Sequence, residues 1–292
     1  MRRSVVMLMP MDVVAFIRSQ WRCEDPLCAI DFSQTLWDEL CERAYLDLTE
    51  RCGHPKASKF CIRLVGQSGS GKTSQLLPAV KAALEAQSQK FVSLAVRDFV
   101  PYHPNLSAIR EHYDEGLVRE KTNAFALTLL TLVLVRCIRG HLPILFEVTL
   151  LSPEYERFVH RCLSEEGYGC DYHCLAIAKE TSDAWIEARC RETHRVVSKR
   201  SSDFFFQTLQ PALEILQSVR MLNRVFIWDA YHTEPQRTHF PDAHLWEKMQ
   251  TLAYTNVEPL SFEAALESKK RFLCSFYREH SFVVTDEQMS NG

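Results

Sequence analysis

Eight consecutive residues carry the clearest chemical instruction in the chain: Gly66-Gln67-Ser68-Gly69-Ser70-Gly71-Lys72-Thr73. Their spacing is that of G-x-x-x-x-G-K-[ST], a loop whose glycines let backbone N–H groups converge on phosphate oxygens at the positive end of a following helix. In that arrangement Lys72 reaches the β- and γ-phosphates of a nucleoside triphosphate, and the Thr73 hydroxyl ligates Mg²⁺. The bare pattern arises by chance in about one chain in a hundred of this length. The decisive point is therefore its context, between an apolar strand-like run, Phe60 to Val65, and a helix-forming segment. Triphosphate binding is the first expectation, and what happens to the triphosphate depends on other groups.

Two apolar runs end in an acid, Ile144-Leu145-Phe146-Glu147 and Val225-Phe226-Ile227-Trp228-Asp229, and either is similar to a Walker B strand. No Asn-Lys-x-Asp-like guanine-reading motif is present, which argues against a GTPase. Arg189, Arg191 and Arg195 alternate with Glu187 and Glu192, a pattern that serves either phosphate ligation or a salt-bridged helix face. Thr122 and Thr149 stand where each could cap a helix or face a ligand. Cys162, Cys170 and Cys174 lie near His160 and His173, but without a C-x-x-C pair they read as buried thiols rather than a zinc site.

The elements that must position these groups are legible from periodicity. From Lys59 onward, short apolar runs alternate with longer amphipathic ones, the rhythm of a parallel sheet covered by helices. Strands are predicted at 60–65, 91–96, 142–148, 172–178 and 224–228, and helices at 72–86, 106–138, 152–166, 182–194, 203–221, 242–253 and 261–278. Residues 1–57 read as a helical segment without strands, with Ser33 as N-cap, Gly53 past the C-terminal end, and an apolar stripe through Trp37, Leu40, Cys41, Ala44, Tyr45 and Leu48. The expected organisation is thus a helical N-terminal segment, 1–57, and an α/β domain that carries the P-loop, 58–292.

Composition narrows the class. A net charge of −3, with 34 basic and 37 acidic residues and no long single-sign run, gives no footprint for a nucleic-acid backbone. Eleven cysteines, an odd number without regular spacing, fit reduced thiols. The N-terminal Met1 to Gln20 resembles a secretory signal only superficially, since Pro10 and Asp12 interrupt its apolar stretch. With no run of about 18 apolar residues, no membrane association is expected. The last ten residues are expected to fray.

Taken in order, the motifs resemble the zeta toxins, P-loop kinases of bacterial toxin–antitoxin systems. After the P-loop comes Asp98-Phe99-Val100-Pro101-Tyr102-His103-Pro104-Asn105, similar to the family's segment ending in His-Pro-Asn. Thr122 follows, then Phe146-Glu147-Val148-Thr149, similar to a strand ending in Glu-Gly-Thr. Trp185 to Arg191, with Arg195 and Ser202-Asp203-Phe204, resembles the arginine-bearing stretch that covers the triphosphate. The resemblance implies an α/β P-loop kinase fold with a largely parallel sheet flanked by helices. It also implies ATP and Mg²⁺ as cofactors and transfer of the γ-phosphate to a hydroxyl of a UDP-amino sugar such as UDP-N-acetylglucosamine.

By the same resemblance Lys72, Asp98, Arg191 and Arg195 are catalytic, with Asp98 as general base, and His103, Thr122, Glu147 and Thr149 contact the acceptor. Counting back from His103 without a gap puts Arg97 at the base position, and a one-residue deletion restores Asp98. Ungapped counting likewise places Leu130 where the family has an acidic sugar contact, which opens the reading to another nucleotide or dinucleotide acceptor, or to a regulatory protein without turnover. An antitoxin partner, in trans or in cis through residues 1–57, and a bacterial cytoplasmic setting are also implied. Delivery into another cell stays open.

Overall fold

Strand β1 (Phe60–Val65) is buried at every position, which requires cover on both faces of the sheet that contains it. The computed structural model describes residues 25–149, 152–193, 197, 199–217, 223–229, 235–239, 244–254 and 261–280, and the statements that follow concern these. The signal-like run before residue 25, Arg195 and the last ten residues lie outside them.

β1 lies between β3 (Ile144–Val148) and β4 (Gly169–Ala176). With β2 (Val92–Ala95), β5 (Asn223–Asp229) and β6 (Gln236–His239) they form one sheet in the order β2-β3-β1-β4-β5-β6. β1 to β5 are parallel and β6 alone is antiparallel. This is the doubly wound α/β plan expected from the sequence. All five predicted strands are present within a few residues of their predicted ends. The polar sequence Gln-Arg-Thr-His of β6 carries no strand signal and was not predicted; it pairs only at the sheet edge.

On one face Cys61, Val65, Phe146, Tyr172 and Cys174 meet α1 (Gln34–Arg51), α4 (Glu115–Arg139) and α5 (Pro153–Glu165). On the other, Ile62, Leu64, Leu175, Phe226 and Trp228 meet α2 (Leu77–Ala86) and α9 (Phe262–Glu279). α3 (Leu106–His112), α6 (Lys179–Thr193), α7 (Lys199–Gln217) and α8 (Leu245–Ala253) complete the helices. α1 begins as predicted, its Ser33 Oγ accepting from the Leu36 N–H at 3.2 Å, and Gly53 follows it at φ +65°. Its stripe enters the same core as the sheet, with Trp37 stacked on Phe125 at 5.3 Å between ring centroids.

The helix predicted over 106–138 is two helices. Tyr113 is extended, its hydroxyl donates to Asp25, and α4 restarts after Asp114. α4 is long and apolar enough to cross a bilayer, yet 83% of its most apolar window is buried, because α1 covers the side turned away from the sheet. Arg63 of β1 is buried on that side as well, paired with Glu156 at 2.7 Å and flanked by the rings of Phe146 and Tyr172. Only Nη1 of the guanidinium is hydrogen-bonded, to Glu156 Oε2, while Nε, Nη2 and Glu156 Oε1 are buried without a partner among the described residues, so the pair carries a desolvation cost that this contact offsets only in part.

On the opposite face a buried chain of hydrogen bonds docks α9. Trp228 Nε1–H donates to His173 Nδ1 (3.0 Å), His173 Nε2–H donates to the Tyr277 hydroxyl (2.9 Å), and that hydroxyl donates to Asp171 (2.9 Å). β4 points alternate residues to opposite faces, so His173 is separated by the sheet from Cys170 and Cys174, and these groups cannot share a metal ion. Among the described residues no group of three or more His, Cys, Asp or Glu converges on a metal position.

Burial, reinforced by Arg224, pushes the His173 pKa down to about 3, against an ordinary value of 6.5. The unfolded chain therefore binds one more proton than the folded chain between those values. The stability held by neutral His173 is complete above pH 6.5 and is lost as pH falls toward 3, at up to about 1.4 kcal/mol per pH unit. Urea denaturation between pH 7 and 4.5 is expected to show this slope, and His173→Phe is expected to reduce it.

Candidate active site

The P-loop leaves the centre of the sheet. After Val65 the chain turns through Gly66–Gly71 into a π-helical turn, Lys72–Leu76, that continues as α2. Gly69 (φ +77°) and Gly71 (φ +95°) hold left-handed conformations that only glycine adopts without strain. At Gly69 there is a second reason, because a Cβ there would lie 2.7 Å from the Ser182 carbonyl oxygen of α6. α6 grips the loop further: Ser182 Oγ donates to the Ser68 carbonyl, and the buried Gln67 amide donates to the carbonyl of Ile177 at 3.3 Å. Ser70 is buried in the turn.

Lys72 Nζ donates to the carbonyls of Gly66 (2.5 Å) and Gln67 (2.7 Å), so its ammonium lies folded back inside the loop. Burial pushes its pKa down to about 8; Glu147 opposes that shift, while Arg189 and Arg119 add to it. A cationic amine held in a glycine-rich turn that leads into a helix suits an anion.

The loop forms one wall of a cavity of about 420 Å³, completed by Thr73, Ser74, Arg97, Arg119, Glu147, Thr149, Trp185, Arg189 and Phe262. Glu147 ends β3 at the level of Leu64, one strand from the P-loop, because β3 pairs in register with β1. Its carboxylate accepts from the Thr73 hydroxyl and from Arg97 Nη2 at 2.8 Å, while Arg97 Nη1 donates to Thr73 Oγ1 at 3.2 Å. The hydroxyl and the carboxylate are the hard oxygen donors that a nucleotide-bound Mg²⁺ would take, and in this structure the Arg97 guanidinium bridges them. Of the two strands ending in acids, β3 supplies this group. Asp229 of β5 is buried next to Lys269 and is not among the lining residues.

The structure thus brings together Gly69, Ser68, Ser70, Gly71, Lys72, Thr73, Glu147 and Thr149, with Gly66 and Gln67 holding the loop from behind. It places four other sequence candidates away from the cavity. Asp98 accepts from its own turn at the Ala95 N–H (3.2 Å) and lies 3.8 Å from Arg97 Nε; Arg97, and not Asp98, lines the cavity, both residues belonging to the short 3₁₀ helix Val96–Tyr102, which is absent from the predicted elements. His103 is buried against Phe125 and Phe32, its Nδ1 accepts from the Asn105 N–H at 3.1 Å, and burial pushes its pKa down to about 4, so it serves as a neutral core residue. Thr122 is buried and donates to the Val118 carbonyl one helical turn back. Arg191 lies on the exposed face of α6, 79% exposed and 3.5 Å from Glu187, and Arg189 reaches the cavity instead. Leu130 is buried within the core.

The family model described as zeta toxin matches residues 43–237, more than half of the chain, from within α1 through β6. The chain belongs to the zeta toxin family. That places it among toxin kinases and accounts for the P-loop kinase fold. Among solved structures, one from the PezAT chromosomal toxin–antitoxin system of Streptococcus pneumoniae superposes with a TM-score of 0.59 at 18% identity, covering 83% of this chain and 98% of that one. Structures of AvrRxo1-ORF1 with AvrRxo1-ORF2 superpose at 0.48 with 12% identity (with sulphate ions) and 0.45 with 13% identity (with ATP), each covering 83% of this chain and 85% of the other. No curated protein sequence matches the chain.

Relative to the zeta toxin motifs, sequence reasoning missed Arg97, Arg119 and Phe262 as cavity residues. The signal for Arg97 was the ungapped count from His103; Arg119 and Phe262 stand outside any motif and are brought in by tertiary packing.

The contact between Gly69 and α6 is directly testable. Gly69→Ala adds left-handed strain and a backbone overlap at Ser182, and is expected to weaken triphosphate binding by tenfold or more. Gly167→Ala is the control, since Gly167 is also left-handed (φ +71°) but its nearest neighbour is the flexible Lys59 terminus at 4.0 Å. It is expected to lower stability alone, as read by calorimetric titration alongside thermal unfolding.

Proposed function

We propose that the protein is an ATP-dependent kinase that transfers the γ-phosphate to a hydroxyl of a small molecule, with a UDP-amino sugar such as UDP-N-acetylglucosamine as the first acceptor to consider. One observation carries this reading: Lys72 and Thr73, from the turn after β1, and Glu147, from the adjacent parallel β3, converge on a single cavity. Family membership supports the reaction class, and the sugar nucleotide comes from the family resemblance alone.

When bound, MgATP supplies the transferable phosphoryl group and the metal's charge. The protein's part is positioning and electrostatics. Lys72 exchanges its two loop carbonyls for phosphate oxygens, and Arg189 and Arg119 place further positive charge on the cavity wall. Thr73 and Glu147 would present oxygens to the metal in place of their contacts with Arg97, and Thr149 would offer a hydroxyl to the acceptor. Asp98 is the proposed base by motif. Burial raises its pKa from the ordinary carboxylate value, as suits a proton acceptor, and its Oδ1 lies beside Arg97 of the cavity while Oδ2 caps the Ala95 N–H.

That same cap favours a second reading, a nucleotide-binding regulatory protein without turnover. An antitoxin is the proposed partner under either reading, acting in trans or through the N-terminal segment. Because α1 is part of the core, any restraint in cis belongs to residues preceding it.

ADP formation by the wild type, Lys72→Ala and Asp98→Asn separates the two readings. The kinase reading expects acceptor-stimulated ADP release that falls about a thousandfold or more in Lys72→Ala. ATP binding by the wild type, with ADP release no faster than in Lys72→Ala for every acceptor tried, would favour the regulatory reading.

A further inference from the structure

The cavity is larger than a triphosphate needs, and its lining is mixed. Beside the P-loop and the charged side chains it has two aromatic residues, Trp185 of α6 and Phe262, the first residue of α9. A pocket of about 420 Å³ is of the size that encloses most of a small ligand rather than an anionic tail alone. Of the four large apolar side chains that stand exposed among the described residues, Leu46, Leu117, Tyr254 and Phe262, only Phe262 lines it.

Both aromatics are held by elements that also hold the loop. Trp185 lies one turn after Ser182, the residue that bonds the Ser68 carbonyl, and its ring edge is 3.5 Å from where a Cβ on Gly71 would sit. α9 packs on α2 and on the Lys72–Leu76 turn, anchored through Leu273, Phe276 and Tyr277. Its first turn is fixed by Ser261 Oγ, which accepts from the Ala264 N–H at 3.2 Å. Phe262 is therefore presented from a rigid helix start and left 43% exposed beside a phosphate-binding loop.

We propose that Trp185 and Phe262 form the nucleobase subsite, receiving by stacking the base of the nucleotide whose phosphates lie at Lys72. This rests on the P-loop binding a nucleoside triphosphate. Aromatic stacking needs only a π-face on the ligand, and its loss typically weakens binding by about 5- to 100-fold per base. The inorganic part of the ligand gains nothing from it.

The test is a comparison of two ligands, ATP and inorganic tripolyphosphate, titrated with Mg²⁺ into the wild type, Phe262→Ala, Trp185→Leu and Lys72→Ala. The expected result is a loss of about 5- to 100-fold in ATP affinity for Phe262→Ala and Trp185→Leu, with tripolyphosphate affinity unchanged. Phe262→Trp, which restores a π-face, is expected to recover ATP binding. Unchanged ATP affinity in Phe262→Ala would overturn the subsite. So would an equal loss for both ligands, because the variant would then have disturbed the phosphate site. If the wild type binds neither ligand, or Lys72→Ala binds both as well as the wild type does, the P-loop reading itself fails, a result distinct from failure of the subsite alone.

Discussion

The site depends on one close approach, that of α6 to Gly69. At Gly69 the loop meets the Ser182 carbonyl with no room for a Cβ. Two hydrogen bonds, from Ser182 Oγ and from the Gln67 amide, fix the loop against the segment that follows β4. α6 also carries Trp185 and Arg189 into the cavity. The helix that shapes the phosphate cradle thus supplies part of its lid wall, and the two cannot shift independently.

The other side of the cavity follows from sheet order. With β1 between β3 and β4, the loop after β1 emerges at the middle of the carboxyl edge, where ligands of open α/β sheets bind. Parallel register places Glu147 beside the loop, and the Thr73–Glu147–Arg97 contacts follow without further machinery. β1 also carries a buried ion pair, Arg63 with Glu156, whose guanidinium lies between the rings of Phe146 and Tyr172 with only Nη1 hydrogen-bonded.

Much of this was legible in the sequence, for identifiable reasons. The P-loop, the five parallel strands and the Ser33 cap are local signals, each set by residue type at short spacing. What escaped depended on direction. Helical spacing makes Arg189 and Arg191 equivalent as charges, but they point to different faces of α6, and only packing against the loop decides which reaches the cavity. Asp98 and Arg97 differ by one residue, and the 3₁₀ turn between β2 and the His-Pro-Asn segment settles which side chain faces inward. His103 and Thr122 sit in segments with motif-like sequence, yet their partners are the Asn105 N–H and the Val118 carbonyl, local bonds that motif reading does not anticipate. β6 and the break at Tyr113 are tertiary effects with no periodic signature.

The central proposal is that Lys72 anchors a triphosphate whose terminal phosphate passes to a hydroxyl. The most direct test is to incubate the purified protein with ATP, Mg²⁺ and a panel of sugar nucleotides and dinucleotides, and to read each compound by mass spectrometry for an added phosphate, with Lys72→Ala in parallel. The account predicts that one acceptor class gains a single phosphate with the wild type and none with the variant. A wild type that binds ATP yet phosphorylates nothing, or a product that forms equally well with Lys72→Ala, would contradict it.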